Sequence, residues 1–336
     1  MALSQRIEAF AKLGKAIEKL PSDQLNEWVE EAANENRWFT PDSVQMALEG
    51  LTKMLKKEAL ENWIKPYSFN EGGKQVGIVM AGNIPLVGFH DLLCVLISGH
   101  LAFIKLSSQD SKLLPKLTDL LISIEPVFGD LIHYVTQLKN KDAVIATGSD
   151  NSARYFKQYF SNQPNIIRKN RISCAVLTGK ETEEDIVALG KDIFSYYGLG
   201  CRNVSKLYVP KDYDFKKLLH TLESFEEIGN HSKWRNNYDY NKSIYLVNRE
   251  PHLDNGFLLL RESTQLVSPL SVIYYEEYES LDSITKKIAS QQDKIQCVVS
   301  STVEIPNGIP FGKAQYPEVW DYADGVDTLK FLSELK

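Results

Sequence analysis

The chain has 336 residues, 43% hydrophobic and 24% charged, enough to bury two cores or one large α/β core and too apolar for a disordered chain. Its 38 basic and 44 acidic side chains leave a net charge of −6 with no continuous basic face, which argues against nucleic acid as a partner.

Residues 4–64 read as three helices: apolar positions recur at three and four, Pro21 and Ser22 divide the first from the second, and Thr40-Pro41-Asp42 starts the third. From Gln75 the pattern changes to short β-rich runs between amphipathic segments: VGIVMA (76–81), a helix from about Pro85, LAFIKL (101–106), a helix over 109–124, IHYVTQ (132–137), AVIAT (143–147) and a helix over 150–161. Such alternation predicts βαβ units on a mostly parallel sheet. A composition shift over Gln163–Lys169 marks the expected domain boundary, giving 1–168 and 169–336. The second block repeats the alternation: SCAVLTG (173–179), a helix over 183–196, the strand KLYVP (206–210), a helix over 214–228, strands at SIYLVN, GFLLLR, PLSVIYYEE and IQCVVSS, and a helix over 280–290.

The opening MALSQRIEAFAKLGKAIEKL carries charges throughout a helical pattern, unlike a secretory leader, so a cytoplasmic protein is expected. Leu86 to Ile104 is the most apolar stretch, but His90, Asp91, Gly99 and His100 interrupt it, and a buried helix followed by a strand is expected there rather than membrane insertion. Cys94, Cys174, Cys201 and Cys297 lie far apart and the six histidines show no ligand spacing, so no metal is assigned.

Cys201 stands where a helix runs through a Gly-x-Gly turn into a strand, in YYGLGCRNVSKLYVP. Glycines there let a ligand approach the backbone and keep a thiol uncovered; a small hydrophobe filling a tight turn is the other reading. Arg202 beside it is expected to point to solvent. Asn83, in AGNIP between a strand and a helix, is either a donor to a developing oxyanion or a cap. Lys105 ends LAFIKL, where open α/β sheets place ligands, or is an ordinary solvated lysine. Thr147, Gly148 and Ser149 follow a strand and open a helix, a place where backbone N–H groups meet phosphate, although one glycine is not the dinucleotide fingerprint.

In order, these segments resemble the aldehyde dehydrogenase superfamily and, within it, the acyl-CoA reductases of the bacterial luminescence type, over roughly residues 70–336. GNIP resembles the turn carrying the oxyanion asparagine, IKLSS the lysine segment that binds cofactor ribose, and TGS the turn near the cofactor. GLGCRNVSKLYVP is similar to the segment of the nucleophilic cysteine. TQLVSPLSVI resembles the ExFGPV segment, with Gln265 in place of the ribose-binding glutamate. IPFGKAQYPEVWDYADGVDTLKFL resembles the family's carboxyl end.

The resemblance implies two Rossmann-like α/β/α parallel-sheet domains behind a helical lead-in, with NADPH or NADH as cofactor and acyl-CoA or a carrier-bound acyl chain as substrate. It further implies Cys201 and Asn83 as catalytic groups, and Lys105, Thr147, Gly148, Ser149 and Gln265 as cofactor contacts. IIRKNRISCAVLTG lacks the general-base acid of hydrolytic relatives, which fits a thioester enzyme. The stretch from Trp63 to Val76 is short for the family's oligomerisation hairpin, leaving a homo-oligomer or an acyl-transfer partner protein open. An acyltransferase or thioesterase using the same cysteine, an acyl-phosphate reductase and a noncatalytic assembly partner are the alternatives.

Overall fold

Four helices, rather than three, lead the chain: α1 (Leu3–Glu18), α2 (Ser22–Glu35), α3 (Pro41–Met54) and α4 (Lys57–Ile64). In α1 the buried Ile7, Phe10, Leu13 and Ile17 recur at three and four, the period that keeps one helix face on a core. α3 starts as predicted, with Pro41 in its first turn and Thr40 Oγ1 accepting the Ser43 N–H at 3.4 Å. It stops at Leu55 because Lys56 is extended (φ −62°, ψ 131°), and a residue with no capping oxygen gave no sign of the break. A computed structural model describes residues 1–69 and 73–335; the short stretch before Val76 therefore falls partly outside the described residues.

The first of two units comprises Met1–Asn170 and Pro317–Lys336. Its strands and helices are β1 (Gln75–Val79), α5 (Phe89–Ile97), β2 (Leu101–Lys105), α6 (Leu113–Ile124), β3 (Ile132–Tyr134), β4 (Ala143–Thr147), α7 (Asp150–Tyr159) and β5 (Asn165–Arg168). The described strands form one parallel sheet in the order β3-β2-β1-β4-β5, with Val79 level with Lys105 and with Ala146. The order reverses at β1, and ligands of open α/β sheets bind beyond the carboxyl ends of strands at that switch point. β5 was not foreseen; its four residues lie inside the stretch read as a boundary.

The end of the chain also differs from the expected division. Residues 317–335 pack in the first unit: the Arg168 guanidinium donates to Thr328 Oγ1 at 2.9 Å, His100 Nε2 lies 3.0 Å from the Leu332 carbonyl, and Trp63 Nε1 donates to Tyr322 Oη at 2.8 Å.

The second unit, Arg171–Tyr316, holds β6 (Ile172–Val176), α8 (Glu183–Phe194), β7 (Val204–Pro210), α9 (Phe215–Leu222), α10 (Ser232–Asn248), β8 (Leu253–Asp254), β9 (Leu259–Glu262), β10 (Val272–Tyr278), α11 (Leu281–Ala289) and β11 (Ile295–Val299). The sheet runs β11-β6-β7-β10-β9-β8, parallel except for the edge strand β8. β9 and β10 are parallel although only residues 263–271 join them, so the connection returns across the sheet, where the Lys206 ammonium of β7 bonds the Ser263 carbonyl.

SIYLVN is not a strand; it is the last part of α10. Trp234, Tyr238, Asn241 and Tyr245 are buried at spacings of four, three and four, and Tyr238 and Tyr245 pack on Leu259, Val272 and Tyr274. Leu246 and Val247, which make the run look like β structure, are 60% and 82% exposed. Helical periodicity over seventeen residues outweighs the β propensity of six.

Candidate active site

α8 ends at Phe194, and the chain then passes through three residues with left-handed backbone, Tyr196 (φ 51°), Tyr197 (φ 56°) and Gly198 (φ 71°). Only the glycine adopts this region without cost; each tyrosine pays on the order of 1–3 kcal/mol, so the path must be held by its surroundings. Asn203 does much of that holding. Its buried amide donates to the carbonyls of Asp192 (3.1 Å), Ile193 (3.3 Å) and Ser195 (2.7 Å), and its Oδ1 accepts the Gly200 N–H at 2.8 Å. The Tyr197 ring packs on His231 with centroids 4.4 Å apart. On the far side of the turn the buried Ser173 hydroxyl donates to the Cys201 carbonyl at 3.0 Å and accepts the Cys297 N–H at 3.2 Å. Cys201 thus sits in a turn fixed from α8 and from β6, at the amino end of β7.

Burial separates the four thiols. Cys94 and Cys174 are fully buried, and desolvation pushes both thiols up, away from the thiolate. Cys297 is half-buried within β11, its Sγ 3.0 Å from Ser173 Oγ. Cys201 is half-buried and stands in a turn.

Arg202 does not point to solvent: it is half-buried and its guanidinium donates to the Ala314 carbonyl at 3.4 Å. Asp192 of α8 grips the same segment, accepting the N–H groups of Gly312 (2.6 Å) and Ala314 (3.0 Å). Burial raises its carboxyl to about 6 even though both N–H groups favour the ionised form. The folded state therefore holds a proton that the unfolded chain has released. This contribution to stability is complete below about pH 3.8 and is lost as pH rises through about 6. Thermal midpoints measured from pH 4 to 7 are expected to fall less in Asp192→Asn than in the unaltered protein.

In the first unit Asn83 follows β1, Lys105 and Thr147 are the last residues of β2 and β4, and Gly148 and Ser149 follow Thr147, all toward the carboxyl end of the sheet. Asn83 and Lys105 are exposed. The helix expected from Pro85 begins only at Phe89, because Leu86 turns left-handed (φ 59°), so Asn83 is six residues ahead of α5 and is not its cap. Ser149 caps α7, its hydroxyl accepting the Ser152 N–H at 3.3 Å, and a Cβ built at Gly148 would stand 2.8 Å from Ser152 Cβ, so this glycine serves close packing on its own helix.

In the second unit Gln265 is exposed on the returning 263–271 connection, next to Leu266, whose carbonyl lies 3.5 Å from Ser205 Oγ of β7. Asn203, Ser173 and Asp192 escaped the sequence reading; the one available sign was an asparagine two residues past the cysteine, a residue type that closes turns. Among the described residues no cluster of three or more His, Cys, Asp or Glu side chains forms a metal site, and no helix is long and apolar enough to cross a membrane.

The fold, two α/β units each built on a mostly parallel sheet, is that of solved aldehyde dehydrogenases. The Bacillus cereus aldehyde dehydrogenase in its NAD+ complex is 12% identical, with a TM-score of 0.63 over 90% of this chain and 73% of that one. P. syringae indole-3-acetaldehyde dehydrogenase, solved with NAD+ and IAA, is 11% identical (TM-score 0.67, 94% of this chain, 75% of that one). A putative methylmalonate-semialdehyde dehydrogenase from Sinorhizobium meliloti, complexed with NAD, is 13% identical (TM-score 0.67, 99% of this chain, 84% of that one). Within this fold the chain belongs to the acyl-CoA reductase (LuxC) family, whose sequence model matches residues 8–224. No curated protein sequence matches it.

Proposed function

We propose that the protein is a nicotinamide-dependent acyl-CoA reductase in which Cys201 carries the acyl group. The observation that carries the reading is the half-buried Cys201 thiol in a turn held by Asn203 and Ser173, in a chain of this family. The Cys201 thiolate attacks the thioester carbonyl of acyl-CoA or of a carrier-bound acyl chain. The Cys201 N–H and the Asn83 amide donate to the tetrahedral oxyanion, and as the carbonyl re-forms the carrier thiolate leaves an acyl-cysteine.

Lys105, Thr147, Gly148, Ser149 and Gln265 would hold the cofactor; the ammonium, hydroxyl and amide groups suit ribose hydroxyls and phosphate oxygens, while Gly148, whose N–H is taken by the Arg168 carbonyl, would let the cofactor approach the turn. Reduced nicotinamide, as NADPH or NADH, would supply hydride when bound there; hydride on the acyl-cysteine carbonyl leaves a thiohemiacetal oxyanion. Cys201 then departs as thiolate and the aldehyde is released. Among the described residues of the second unit, Glu181 is not placed to activate water in its stead. The buried Glu181 follows the carboxyl end of β6, at the opposite end of the sheet from the Cys201 turn, and both its oxygens accept from its own turn: Oε1 from the Thr178 N–H at 2.5 Å, Oε2 from the Gly179 N–H at 3.0 Å.

The reading places the protein in the cytoplasm, alone, as a homo-oligomer or with an acyl-transfer partner. Intact-protein mass spectrometry after incubation with a medium- or long-chain acyl-CoA tests it. An adduct is expected that maps to Cys201 and disappears, with aldehyde formed, when NADPH or NADH is added. An adduct that neither cofactor removes would assign acyl transfer instead, and no adduct would assign a noncatalytic partner. Competition by acyl phosphate tests the thioester preference. Asn83→Ala is expected to lower turnover about 10²- to 10³-fold while leaving the melting temperature unchanged.

A further inference from the structure

A buried carboxylate that the proposed chemistry does not use grips the turn presenting Asn83. Asp110 is 6% exposed and lies five residues past Lys105; its N–H bonds the Ser107 carbonyl at 3.3 Å, closing the segment SSQD into a turn. Its Oδ2 accepts the Leu86 N–H at 2.8 Å. Leu86 is the residue with left-handed backbone, its side chain buried at 4% exposure. A leucine in that region costs on the order of 1–2 kcal/mol, so the bend has to be maintained by a partner. The same segment meets the turn twice more. The Met80 N–H donates to the Lys105 carbonyl at 3.1 Å, and a Cβ built at Gly82 would lie 2.5 Å from Ser107 Oγ and 3.1 Å from the Asp110 nitrogen. From α2 side the Asn36 amide donates to the Gly82 carbonyl at 3.4 Å. Asn83 therefore lies between three fixed points, at residues 80, 82 and 86, with its own side chain exposed. Burial pushes the Asp110 carboxyl up to about 7 against the pull of the Leu86 and Leu113 N–H groups, and the charge of Glu35 on α2 raises it further.

We infer that Asp110 is a positioning residue for the Asn83 amide: by bonding the Leu86 N–H it fixes the left-handed bend that presents Asn83 to the substrate. The inference rests on the reading of Asn83 as an oxyanion donor. An acceptor oxygen, rather than a negative charge, is what the bend requires, so asparagine should replace the aspartate and alanine should not.

The test is a double-mutant cycle in steady-state acyl-CoA reduction. Asp110→Ala is expected to lower kcat about 10²-fold, approaching the Asn83→Ala loss, with KM for acyl-CoA unchanged within about twofold. Asp110→Asn should restore kcat to within about threefold of the unaltered enzyme, because its amide oxygen can accept the Leu86 N–H. Combining Asp110→Ala with Asn83→Ala should cost no more than Asn83→Ala alone, since the first acts only through the second. The rate of Cys201 alkylation by iodoacetamide should be the same in all variants, because it needs no oxyanion donor. Should Asp110→Ala not fold, Gly82→Ala strains the same grip, and its kcat loss should likewise vanish on the Asn83→Ala background. If Asn83→Ala is crippled while Asp110→Ala turns over normally, or if the two losses multiply, the positioning role is wrong and the Asn83 assignment stands. If Asn83→Ala itself is unimpaired, both fall.

Discussion

Cys201→Ala is expected to abolish acyl labelling and aldehyde formation together, with the fold intact. Removing one sulfur from a half-buried turn position leaves a small void, and the backbone bonds from Ser173 and to Gly200 through Asn203 do not involve the side chain. The loss should be of the kind produced by deleting a covalent nucleophile, about 10⁶ in kcat where such deletions have been measured, rather than the 10²–10³ of a lost donor. Cys297→Ala should keep the adduct, because that thiol lies within β11 rather than in the turn. Intact mass and aldehyde yield, read on both variants, check the pair of statements. An adduct of normal yield on Cys201→Ala would move the acyl group to another residue.

The second large effect concerns stability. Arg168, at the end of β5, donates to both oxygens of Asp91 on α5 at 2.6 and 2.5 Å and to Thr328 Oγ1 at 2.9 Å, with its side chain only 5% exposed. Its carbonyl accepts the Gly148 N–H at 3.3 Å. Arg168→Ala leaves the Asp91 carboxylate buried with no cation, a change that typically costs about 3–5 kcal/mol. A lower urea midpoint is therefore expected. Replacing both partners, as Arg168→Met with Asp91→Leu, should recover most of that loss, since a well-packed apolar pair dispenses with two desolvated charges. A double variant no more stable than Arg168→Ala would show that the bonds to Thr328 and the packing of α5, not the ion pair, set the effect.

What could be read from the sequence was what repeats locally. β1, β2, β4, β6 and β7 are short apolar runs flanked by turn residues, and their alternation with amphipathic helices announced two parallel sheets. The apolar Ile-Tyr-Leu-Val run at the end of α10 misled because its local composition is that of a strand, whereas the stripe Trp234, Tyr238, Asn241, Tyr245 that makes it a helix is mostly upstream. In the site, Cys201 stood out through its glycines. The groups that hold it did not, since Ser173 lies 28 residues away and the Asp192 partners Gly312 and Ala314 lie 120 and 122 away. The same holds for Asp110, which meets Leu86 across 24 residues. Nor does any composition rule assign left-handed backbone to two consecutive tyrosines.

The return of residues 317–335 to the first unit has a consequence for how the molecule is made. The ribosome finishes β1 to β5 early, yet Arg168, His100 and Trp63 find Thr328, Leu332 and Tyr322 only after all of Arg171–Tyr316 has been synthesised. A chain that emerges amino end first thus leaves its earliest sheet waiting for its last helix, Thr328–Ser333, while the inserted unit has every described strand it needs already in hand. Chains truncated after Tyr316 and released from the ribosome should accordingly protect the later-made unit from protease before the earlier-made one, the reverse of the usual order of birth.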